Sequence, residues 1–411
     1  MANYDLPYRC SAFVCRHSRP QQRHLDSVLP TAVLMTVLMA LLILPTLSFA
    51  ALPDRASRPS APVDAGQRFP LMDITPMADR LLSVGERGRI LISFDQGGHW
   101  RQAQVPVSVL LTAVDAATDT SAWAVGHDSI LLNSTDQGES WTLALDGPQI
   151  NQLVADYYQQ LLARAVADPE STEDLLDELQ FRAEDAQFAI EDKLLRTLLD
   201  VAFIDADHGY VLGAYGLLLA TQDGGKSWQP MMEELGNPNG FHLNAITYTD
   251  NGVLIAGEAG VLFRRLNGDN RWEALASPYE GSFFGAQSLG DDRLLVYGLR
   301  GHAFISADGG DSWEQLDLPL KRTLTGAAQL EDGTLVLVGS FGAVLVKSPG
   351  QPFRMQRLAI PAPSMAVVPL TADRILVVGL AGAQPLALSP VLSAPTSAST
   401  TVPTSSAKQG N

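Results

Sequence analysis

The segment TQDGGKSW at 221–228 decides the fold, because three further segments share its pattern Ser/Thr-x-Asp-x-Gly-x-x-Trp. Those segments are SFDQGGHW at 93–100, STDQGESW at 134–141 and SADGGDSW at 306–313. In such a hairpin turn the aspartate accepts backbone N–H bonds, the glycine supplies a positive φ, and the tryptophan packs between neighbouring sheets. We therefore expect a structural role for the aspartate and the tryptophan of each turn. These residues are Asp95, Trp100, Asp136, Trp141, Asp223, Trp228, Asp308 and Trp313.

Each turn belongs to a longer repeat with a period of about 40 residues. A copy has a short apolar run, a glycine turn, a second apolar run and the tight polar turn, and a further strand precedes it. The first such strand is LMDITPM from Leu71, and looser turns end near Trp272 and Phe353. Seven copies of four short strands predict an all-β protein, a seven-bladed β-propeller with four-stranded blades at 67–389. The copies begin at Ala78, Thr120, Asp207, Asp250, Asp291, Glu331 and Thr371.

The seventh copy stops after its third strand and lacks a tryptophan. A ring whose last blade lacks a strand has an unpaired edge, and such edges promote aggregation. We expect the chain just before Leu71 to supply the missing strand, with residues near 60–69 pairing beside 384–389.

Residues 149–200 interrupt the strand pattern between the second and third copies. Apolar residues recur there at helical spacing on both sides of Asp168-Pro169, and Ser171 with Asp174 resembles a capping box. The segment is predicted to be an inserted α-helical hairpin, with twelve acidic and four basic residues. Two interpretations remain open: a solvated helix pair whose apolar stripes pack on each other, and a docking arm for a partner. The apolar positions are Val154, Tyr157, Tyr158, Leu161, Ala165, Leu176, Leu179, Ala183, Ala186, Ile190 and Leu194.

The two ends of the chain differ in composition from the repeats. Residues 1–27 form a basic leader, and the apolar stretch 28–50 resembles an export signal, either cleaved or kept as a membrane anchor. A linker rich in Pro, Ala and Ser is expected at 51–66, and a disordered Ser/Thr/Pro-rich tail at 390–411. The body of the protein is thus predicted to be periplasmic, either free or tethered to the inner membrane.

Composition excludes several classes of function. The chain of 411 residues has a formal net charge of −17, which opposes nucleic-acid binding. Its two cysteines, Cys10 and Cys15, precede the apolar stretch, so the predicted exported part has neither a disulfide nor a cysteine nucleophile. No two histidines have ligand spacing, and we expect neither a metal nor a cofactor. The protein on its own is expected to be a monomer.

One face of the predicted ring collects the unusual features of the sequence. Strands run alternately up and down, so the turns between second and third strands share a face with the crossings between blades. We expect a partner to bind on this face through Arg87, Arg300, Tyr279, Phe283 and Phe284, together with the helical insertion. The alternative is that Phe283 and Phe284 fill the gap between blades four and five. Other side chains expected on the face are His127, Tyr215, Glu258 and Phe341.

The turn motif resembles the Asp-box, or BNR repeat, and the repeats together resemble the photosystem II assembly and stability factor-like group of BNR propellers. The match is most specific at YEGSFFGA from Tyr279 and at Gly298-Leu299-Arg300-Gly301. In photosynthetic members the resemblance implies a lumenal propeller whose basic patch helps to receive a newly made membrane subunit. Arg300 and Arg87 match the Arg-Gly turns of that group. This chain is interpreted as a non-photosynthetic bacterial relative, some of which are encoded with exporters of the resistance–nodulation–division type.

The resemblance implies a non-enzymatic scaffold or assembly factor for a membrane protein or transporter complex. Two other classes remain open. Sialidase-type exo-glycosidases also contain Asp-boxes, but they need an arginine triad and a tyrosine nucleophile with an acidic partner. Here the Arg-Ile-Pro motif expected before the first Asp-box is missing, because Leu91 follows Arg89-Ile90. A small ligand bound in the central channel is the third class.

Overall fold

A computed structural model describes residues 54–62, 68–269 and 271–389. Within these ranges the repeats form seven antiparallel sheets, six with four strands and one with three, and each sheet follows chain order. The predicted all-β, seven-bladed β-propeller with an inserted helical hairpin is confirmed. The predicted leader, export signal and tail lie outside the described residues, as does part of the predicted linker.

The strands β1–β27 follow the seven blades in chain order. Blade one contains Leu71–Met77, Arg80–Gly85, Ile90–Ser93 and Arg101–Gln102, and blade two Leu111–Ala116, Ala122–Gly126, Leu131–Ser134 and Thr142–Leu145. Blade three contains Leu198–Phe203, Gly209–Gly213, Leu218–Thr221 and Gln229–Pro230, and blade four Leu243–Thr249, Gly252–Gly257, Leu262–Leu266 and Glu273–Ala274. Blade five contains Phe283–Ser288, Leu294–Gly298, Ala303–Ser306 and Glu314–Gln315, and blade six Leu324–Gln329, Leu335–Gly339, Ala343–Lys347 and Arg354–Arg357. Blade seven contains Ser364–Thr371, Arg374–Gly379 and Gly382–Ala387.

The hydrophobic core lies between adjacent blades. A strand that is covered on both faces reads as a continuous apolar run, and the whole of Gly252–Gly257 in blade four is buried in this way. The Asp-box tryptophans belong to the same interfaces: Trp228 lies edge-on to Trp123 and Phe203 between blades two and three. Each blade is therefore stabilised mainly by apolar packing on its two neighbours.

The ring closes without the strand exchange that the sequence predicted. The three strands of blade seven gain no fourth strand from the described residues. Instead, Ser60 N–H donates to Val105 O, so the chain before blade one lies against the crossing from blade one to blade two. The predicted pairing is wrong for residues 60–62 and 68–69, and residues 63–67 lie outside the described part. Blades one and seven are joined by buried side chains: Leu71, Ile74, Leu81, Leu91, Val368, Leu376 and Val378.

Polar groups at the end of blade seven form hydrogen bonds with Gln356 of blade six or with the segment between blades six and seven. Ser389 N–H donates to Gln356 Oε1 at 3.1 Å, and Gln356 Nε2 donates to Ala387 O at 2.5 Å. The Gln384 side chain accepts from Ile360 N–H at 2.9 Å and donates to Ile360 O at 3.0 Å. These bonds satisfy the Ala387 carbonyl and the Ser389 amide at the end of the ring, where an exchanged strand would otherwise supply the partners.

The insertion forms a hairpin of two helices, α1 at Gly147–Ala167 and α2 at Glu173–Glu191. Asp146 caps α1 by accepting from Gln149 N–H at 3.0 Å, and Gln149 Oε1 accepts from Asp146 N–H at 2.9 Å. The cap of α2 is Thr172, whose hydroxyl accepts from Leu175 N–H at 3.3 Å, so the cap predicted at Ser171 was one residue out. Leu194 lies beyond α2 and is exposed, which removes it from the predicted apolar stripe. A short helix, α3, follows blade three at Met232–Leu235.

The Asp-box of blade three shows how the repeated turn is built. Asp223 Oδ1 accepts from Ser227 N–H at 2.9 Å, and Thr221 Oγ1 accepts from Gly225 N–H at 2.9 Å. Hydrogen bonds from the side chain and backbone of Ser227 lower the pKa of Asp223 to about 2. The aspartate is thereby used within its own turn, which is what a structural role requires.

Gly225→Ala is expected to destabilise the ring by about 1–3 kcal/mol more than Gly350→Ala. Both glycines have a positive φ, of 77° and 71°, so both substitutions incur the same backbone strain. A Cβ at position 225 would lie 2.1 Å from the Trp123 ring of the preceding blade, whereas a Cβ at position 350 would meet nothing within 4 Å. Urea unfolding of the two variants measures the difference. Equal losses would show that the contact between the Asp-box and the preceding blade contributes nothing.

Candidate functional site

In blades one to five, the turns between the second and third strands share one conformation on the predicted contact face. The middle residue of the turn has a φ of 59° at Arg87, Tyr215 and Arg300. Asp128 and Ala259 have the equivalent position in blades two and four, rather than His127 and Glu258, which begin those turns. A non-glycine residue in this left-handed region costs roughly 1–2 kcal/mol, so the turn must be held by its surroundings.

The glycine that follows this position explains how three of these turns are held. A Cβ at Gly88 would lie 2.0 Å from Val107 O, and a Cβ at Gly260 would lie 1.9 Å from Tyr279 O. The backbone of the crossing between blades therefore packs directly on the turn. At Gly301 the same close approach is made by residues 320–322. Each turn thus presents one side chain from a backbone that is fixed by the neighbouring crossing.

A basic patch surrounds Arg300 in this otherwise acidic protein. Arg300, Lys321 and Arg322 are all exposed, and within the described ranges none of them forms an ion pair. Burial lowers the pKa of His302, and the positive charges of Lys321 and Arg300 lower it further. His302 is thus favoured as a neutral ring beside exposed cations, so the positive charge of the patch comes from the arginines and the lysine.

Tyr279 borders this patch from the crossing between blades four and five. Its ring stacks on the His302 ring, with centroids 4.2 Å apart and planes at 16°. Its hydroxyl donates to Leu299 O at 3.5 Å. This arrangement fixes the ring as a half-buried surface platform. Because the hydroxyl points to a backbone carbonyl rather than to a carboxylate, the geometry does not favour a sialidase-type nucleophile.

The adjacent phenylalanines of this segment have opposite environments. Phe283 is 0 % exposed and packs between blades four and five, against Leu254 and Phe304 among others. It cannot contact a partner, so its prediction as a binding residue was wrong, and the alternative that it fills the gap holds for Phe283. Phe284 is 39 % exposed. The pairing with Leu294–Gly298 shifts by one residue at Phe284, so this residue lies at a β-bulge and its ring leaves the buried interface between the blades.

The structure brings together only part of the predicted contact set. Tyr279, Phe284 and Arg300 lie in one region, at blade five and the crossing into it. Arg87 is exposed on blade one, which neighbours blades two and seven and not blade five. The two arginines therefore share a face of the ring without forming a single patch.

The helical insertion adds a feature that the sequence did not single out, a cleft of about 780 Å³ between α2 and the ring. Tyr215, which is 69 % exposed, and Asn237 are on the ring side, and Phe181 and Arg182 are on the helix side. Arg196 also lines the cleft; burial lowers its pKa, and its guanidinium donates to Asn151 Oδ1 at 3.2 Å. The insertion is thus docked on the ring, and the cleft continues the contact face.

Three carboxylates from the innermost strands of blades one to three line a second cavity, of about 460 Å³. Asp73, Asp115 and Asp200 each accept a backbone N–H from the next blade, at 2.9, 2.7 and 2.9 Å. Burial raises the pKa of Asp73 to about 7 and that of Asp115 to about 6, and it raises the pKa of Asp200 well above its usual range. Their bonds show that these residues link neighbouring blades.

Two further observations concern only the residues that the structure describes. Among them, no group of three or more His, Cys, Asp or Glu side chains is arranged to hold a metal ion. None of their helices combines the length and the apolar character that crossing a bilayer requires.

The ring and its Asp-box turns define this chain as a BNR-type β-propeller. Residues 182–356 match the family model described as "Photosynthesis system II assembly factor YCF48". A "Photosystem II assembly lipoprotein Ycf48" of Synechococcus is 32 % identical over 77 residues, which cover 19 % of this chain and 23 % of that protein. The Thermosynechococcus vestitus "Photosystem II assembly protein Ycf48" is 33 % identical over 63 residues, covering 15 % and 18 %. The chain thus spans about a fifth of the length of these relatives.

Solved structures extend the likeness to the whole ring. "YCF48 bound to D1 peptide" has a TM-score of 0.55 at 16 % identity and covers 80 % of this chain and 97 % of that one. "YCF48 from Cyanidioschyzon merolae" has a TM-score of 0.56 at 14 % identity and covers 80 % and 98 %. At this identity the structures show the fold alone. The family model and the curated relatives confirm the resemblance seen in the repeats: the chain is similar to the Ycf48 group of BNR propellers.

Proposed function

We propose that this chain is a non-enzymatic, protein-binding propeller that serves as a scaffold or assembly factor for a membrane protein complex. The match of residues 182–356 to an assembly-factor family is the observation that carries the proposal. The curated relatives are named for photosystem II assembly, and one related structure is described as bound to a peptide of D1. For this chain the proposed partner is a membrane protein or transporter complex, of which an exporter of the resistance–nodulation–division type is one example.

The surface around Arg300 suits such a role. Arg300, Lys321 and Arg322 offer exposed positive charge, while Tyr279 and Phe284 offer apolar area beside it. Arginine and aromatic side chains are the usual anchors of protein interfaces, because they combine large contact area with directional hydrogen bonds. The proposed contact surface therefore consists of these five residues, with Arg87 as a separate contact on blade one.

The proposed location is the periplasm, with residues 28–50 as either a signal peptide or an anchor in the inner membrane. Two of the curated relatives are named lipoproteins, a class that is exported and held at a membrane. The apolar stretch of this chain has no cysteine at its end, so no lipid anchor is proposed for it. Fractionation of cells that produce the native chain tests the location.

Reversing the charge at both contact arginines is expected to weaken capture of the partner at least tenfold while the ring remains folded. The experiment compares Arg87→Glu/Arg300→Glu with the parent by crosslinking the tagged full-length protein in intact cells and identifying captured proteins by mass spectrometry. We expect at least a tenfold loss of the main membrane partner, because like charges replace complementary ones at both contacts.

The matched control is Arg271→Glu/Arg357→Glu, which changes the same charge at two exposed arginines outside the proposed surface. The control is expected to retain capture. If capture is unchanged in Arg87→Glu/Arg300→Glu, or is lost equally in the control, the assigned surface is wrong. If the parent captures no membrane protein, the scaffold function itself is wrong.

A further inference from the structure

Helix α2 of the insertion exposes two phenylalanines on its outer face. Phe181 is 67 % exposed and Phe188 is 50 % exposed. Seven residues separate them, so on a helix of 3.6 residues per turn their directions differ by about 20° and they lie about 10.5 Å apart. The opposite face of α2, with Leu179, Ala183 and Ala186, is buried in the cluster that includes α1. The two rings therefore form an apolar stripe that the hairpin itself does not cover.

Acidic residues border this stripe on both sides. At 100° per residue, Asp177, Glu184 and Glu191 lie along one edge, and Glu178 and Asp185 lie along the other. Among the described residues, Glu178 is the one of these five that forms an ion pair, with Arg182 at 3.3 Å. Residues 173–191 contain seven acidic residues and one basic residue, a net charge of −6.

We propose that this outer face of α2, the Phe181/Phe188 stripe with its acidic edges, binds a basic amphipathic helix of a partner protein. An amphipathic helix places apolar residues at i, i+3, i+4 and i+7, which matches the spacing of the two phenylalanines. Basic residues beside its apolar face would meet the two acidic edges. The inference rests on the proposed protein-binding function and adds the chemical class of the segment that is bound.

The negative charge of α2 favours a basic helix over the other partners that could bind an apolar stripe. An anionic membrane surface and a nucleic acid would both be repelled by the acidic edges of α2. A second copy of this chain would bring two acidic helices together, and the chain as a whole has a net charge of −17. A wholly apolar segment would bury carboxylates without compensation. A cationic amphipathic segment fits both the apolar centre and the edges.

The cleft beside the helix extends the surface in one direction. Phe181, Glu178 and Asp185 line it from α2, and the exposed ring of Tyr215 faces them from blade three. A helix lying on the stripe would therefore be contacted by the insertion on one side and by the ring on the other. Contact from two sides favours a defined orientation over nonspecific attraction to an acidic surface.

The test uses a fluorescent 21-residue peptide of leucine and lysine that forms an amphipathic helix. The full-length protein is held in nanodiscs of zwitterionic lipid, and empty nanodiscs provide the background. We expect Phe181→Ala/Phe188→Ala to weaken binding at least tenfold, since alanine keeps the helix and removes the stripe. The matched control Leu266→Ala/Met355→Ala, at exposed apolar residues of the ring, is expected to change affinity less than twofold.

The charge requirement is tested separately. Asp177→Asn/Glu184→Gln/Asp185→Asn is expected to weaken binding about fivefold at low salt and less at high salt, where charges are screened. The matched control neutralises three exposed acidic residues of the ring, in Glu314→Gln/Asp317→Asn/Glu331→Gln, and is expected to retain binding.

Several results overturn the inference. They are no binding of the peptide by the parent, equal binding by Phe181→Ala/Phe188→Ala, equal losses in the controls, and equal binding of a leucine–glutamate peptide or of anionic vesicles. A dimer that the phenylalanine variant abolishes would assign the stripe to a second copy. If the peptide does not bind while Arg87→Glu/Arg300→Glu still loses its partner, this inference alone fails and the proposed function stands.

Discussion

Phe283→Ala is expected to lower the free energy of unfolding by about 3–5 kcal/mol. The side chain is fully buried and belongs to the cluster shared by blades four and five. Its ring makes edge contacts with Tyr279 and Phe304, at centroid distances of 6.0 and 6.1 Å. Alanine would leave a cavity between the two blades. Backbone hydrogen bonds within each blade, and the bond from Asn244 Nδ2 to Phe283 O at 2.8 Å, hold the walls of that cavity in place. Urea unfolding monitored by circular dichroism measures the loss.

Phe284→Ala is the matched control one residue further along the chain. Its side chain is more than a third exposed, and we expect a loss of less than about 1 kcal/mol. In the cell, Phe284→Ala is expected to weaken partner capture in proportion to its contact area, whereas Phe283→Ala acts through stability alone. Equal destabilisation by the two variants would contradict the strand register that buries one ring and exposes the other.

The stability of the ring is expected to fall as pH rises from about 4 to about 7. Burial raises the pKa of Asp73 to about 7 and that of Asp115 to about 6, from a usual value near 3.8. In this window the folded protein binds more protons than the unfolded chain, so deprotonation favours unfolding. Their stabilising effect is complete below the unfolded pKa and is lost as pH rises through the folded pKa. We expect the free energy of unfolding to fall by about 1–3 kcal/mol in total. The loss is limited because the carboxylates line a cavity and are not enclosed by protein on every side.

The midpoint of urea unfolding between pH 4.5 and pH 8 is the measurement, at intervals of about half a pH unit. Asp73→Asn is expected to flatten the pH dependence, even if the variant is less stable throughout because Asn cannot accept both backbone N–H bonds. The Asp-box residues Asp95, Asp223 and Asp308 do not mask the effect. Their pKa values are lowered to about 2, so their contribution is lost only in more acidic solution. A midpoint that rises with pH would contradict the expected sign.

Much of the fold was predictable because the deciding signals are local. The bonds of the Asp-box run within eight residues, as from Ser227 to Asp223, and the eight-residue pattern occurs four times in the chain. Helices α1 and α2 were predictable for the same reason, since their period and their break at Asp168-Pro169 are properties of adjacent residues. The cap of α2 was misplaced, because Ser171 and Thr172 are both good caps and the backbone conformation chooses between them. Leu194 was wrongly included in the apolar stripe, because the helix ends at Glu191.

The sequence predicted where on the ring the candidate site lies, but it did not predict all of the residues that form the site. Chain connectivity places Arg300, Tyr279 and the insertion on one face, and the structure groups Tyr279 with Arg300 at His302. The aromatic stripe at Phe181 and Phe188 has a signal in the sequence, a spacing of seven residues within an acidic helix. The helical spacing of apolar residues in the sequence indicates which face of α2 is buried. That Phe181 and Phe188 lie on the exposed face is clear only from the structure, which shows what the hairpin covers.

The sequence by itself determined that seven repeated blades form and that a helical hairpin interrupts them, because period, turn chemistry and apolar spacing act over short distances. Only the tertiary structure decided that Phe283 is buried and Phe284 exposed, that Arg87 lies away from Arg300, and that packing closes the ring. These outcomes depend on which blades become neighbours and on the register of strands far apart in the chain. Such contacts are set by the collective burial of apolar surface across the ring, which no local pattern encodes.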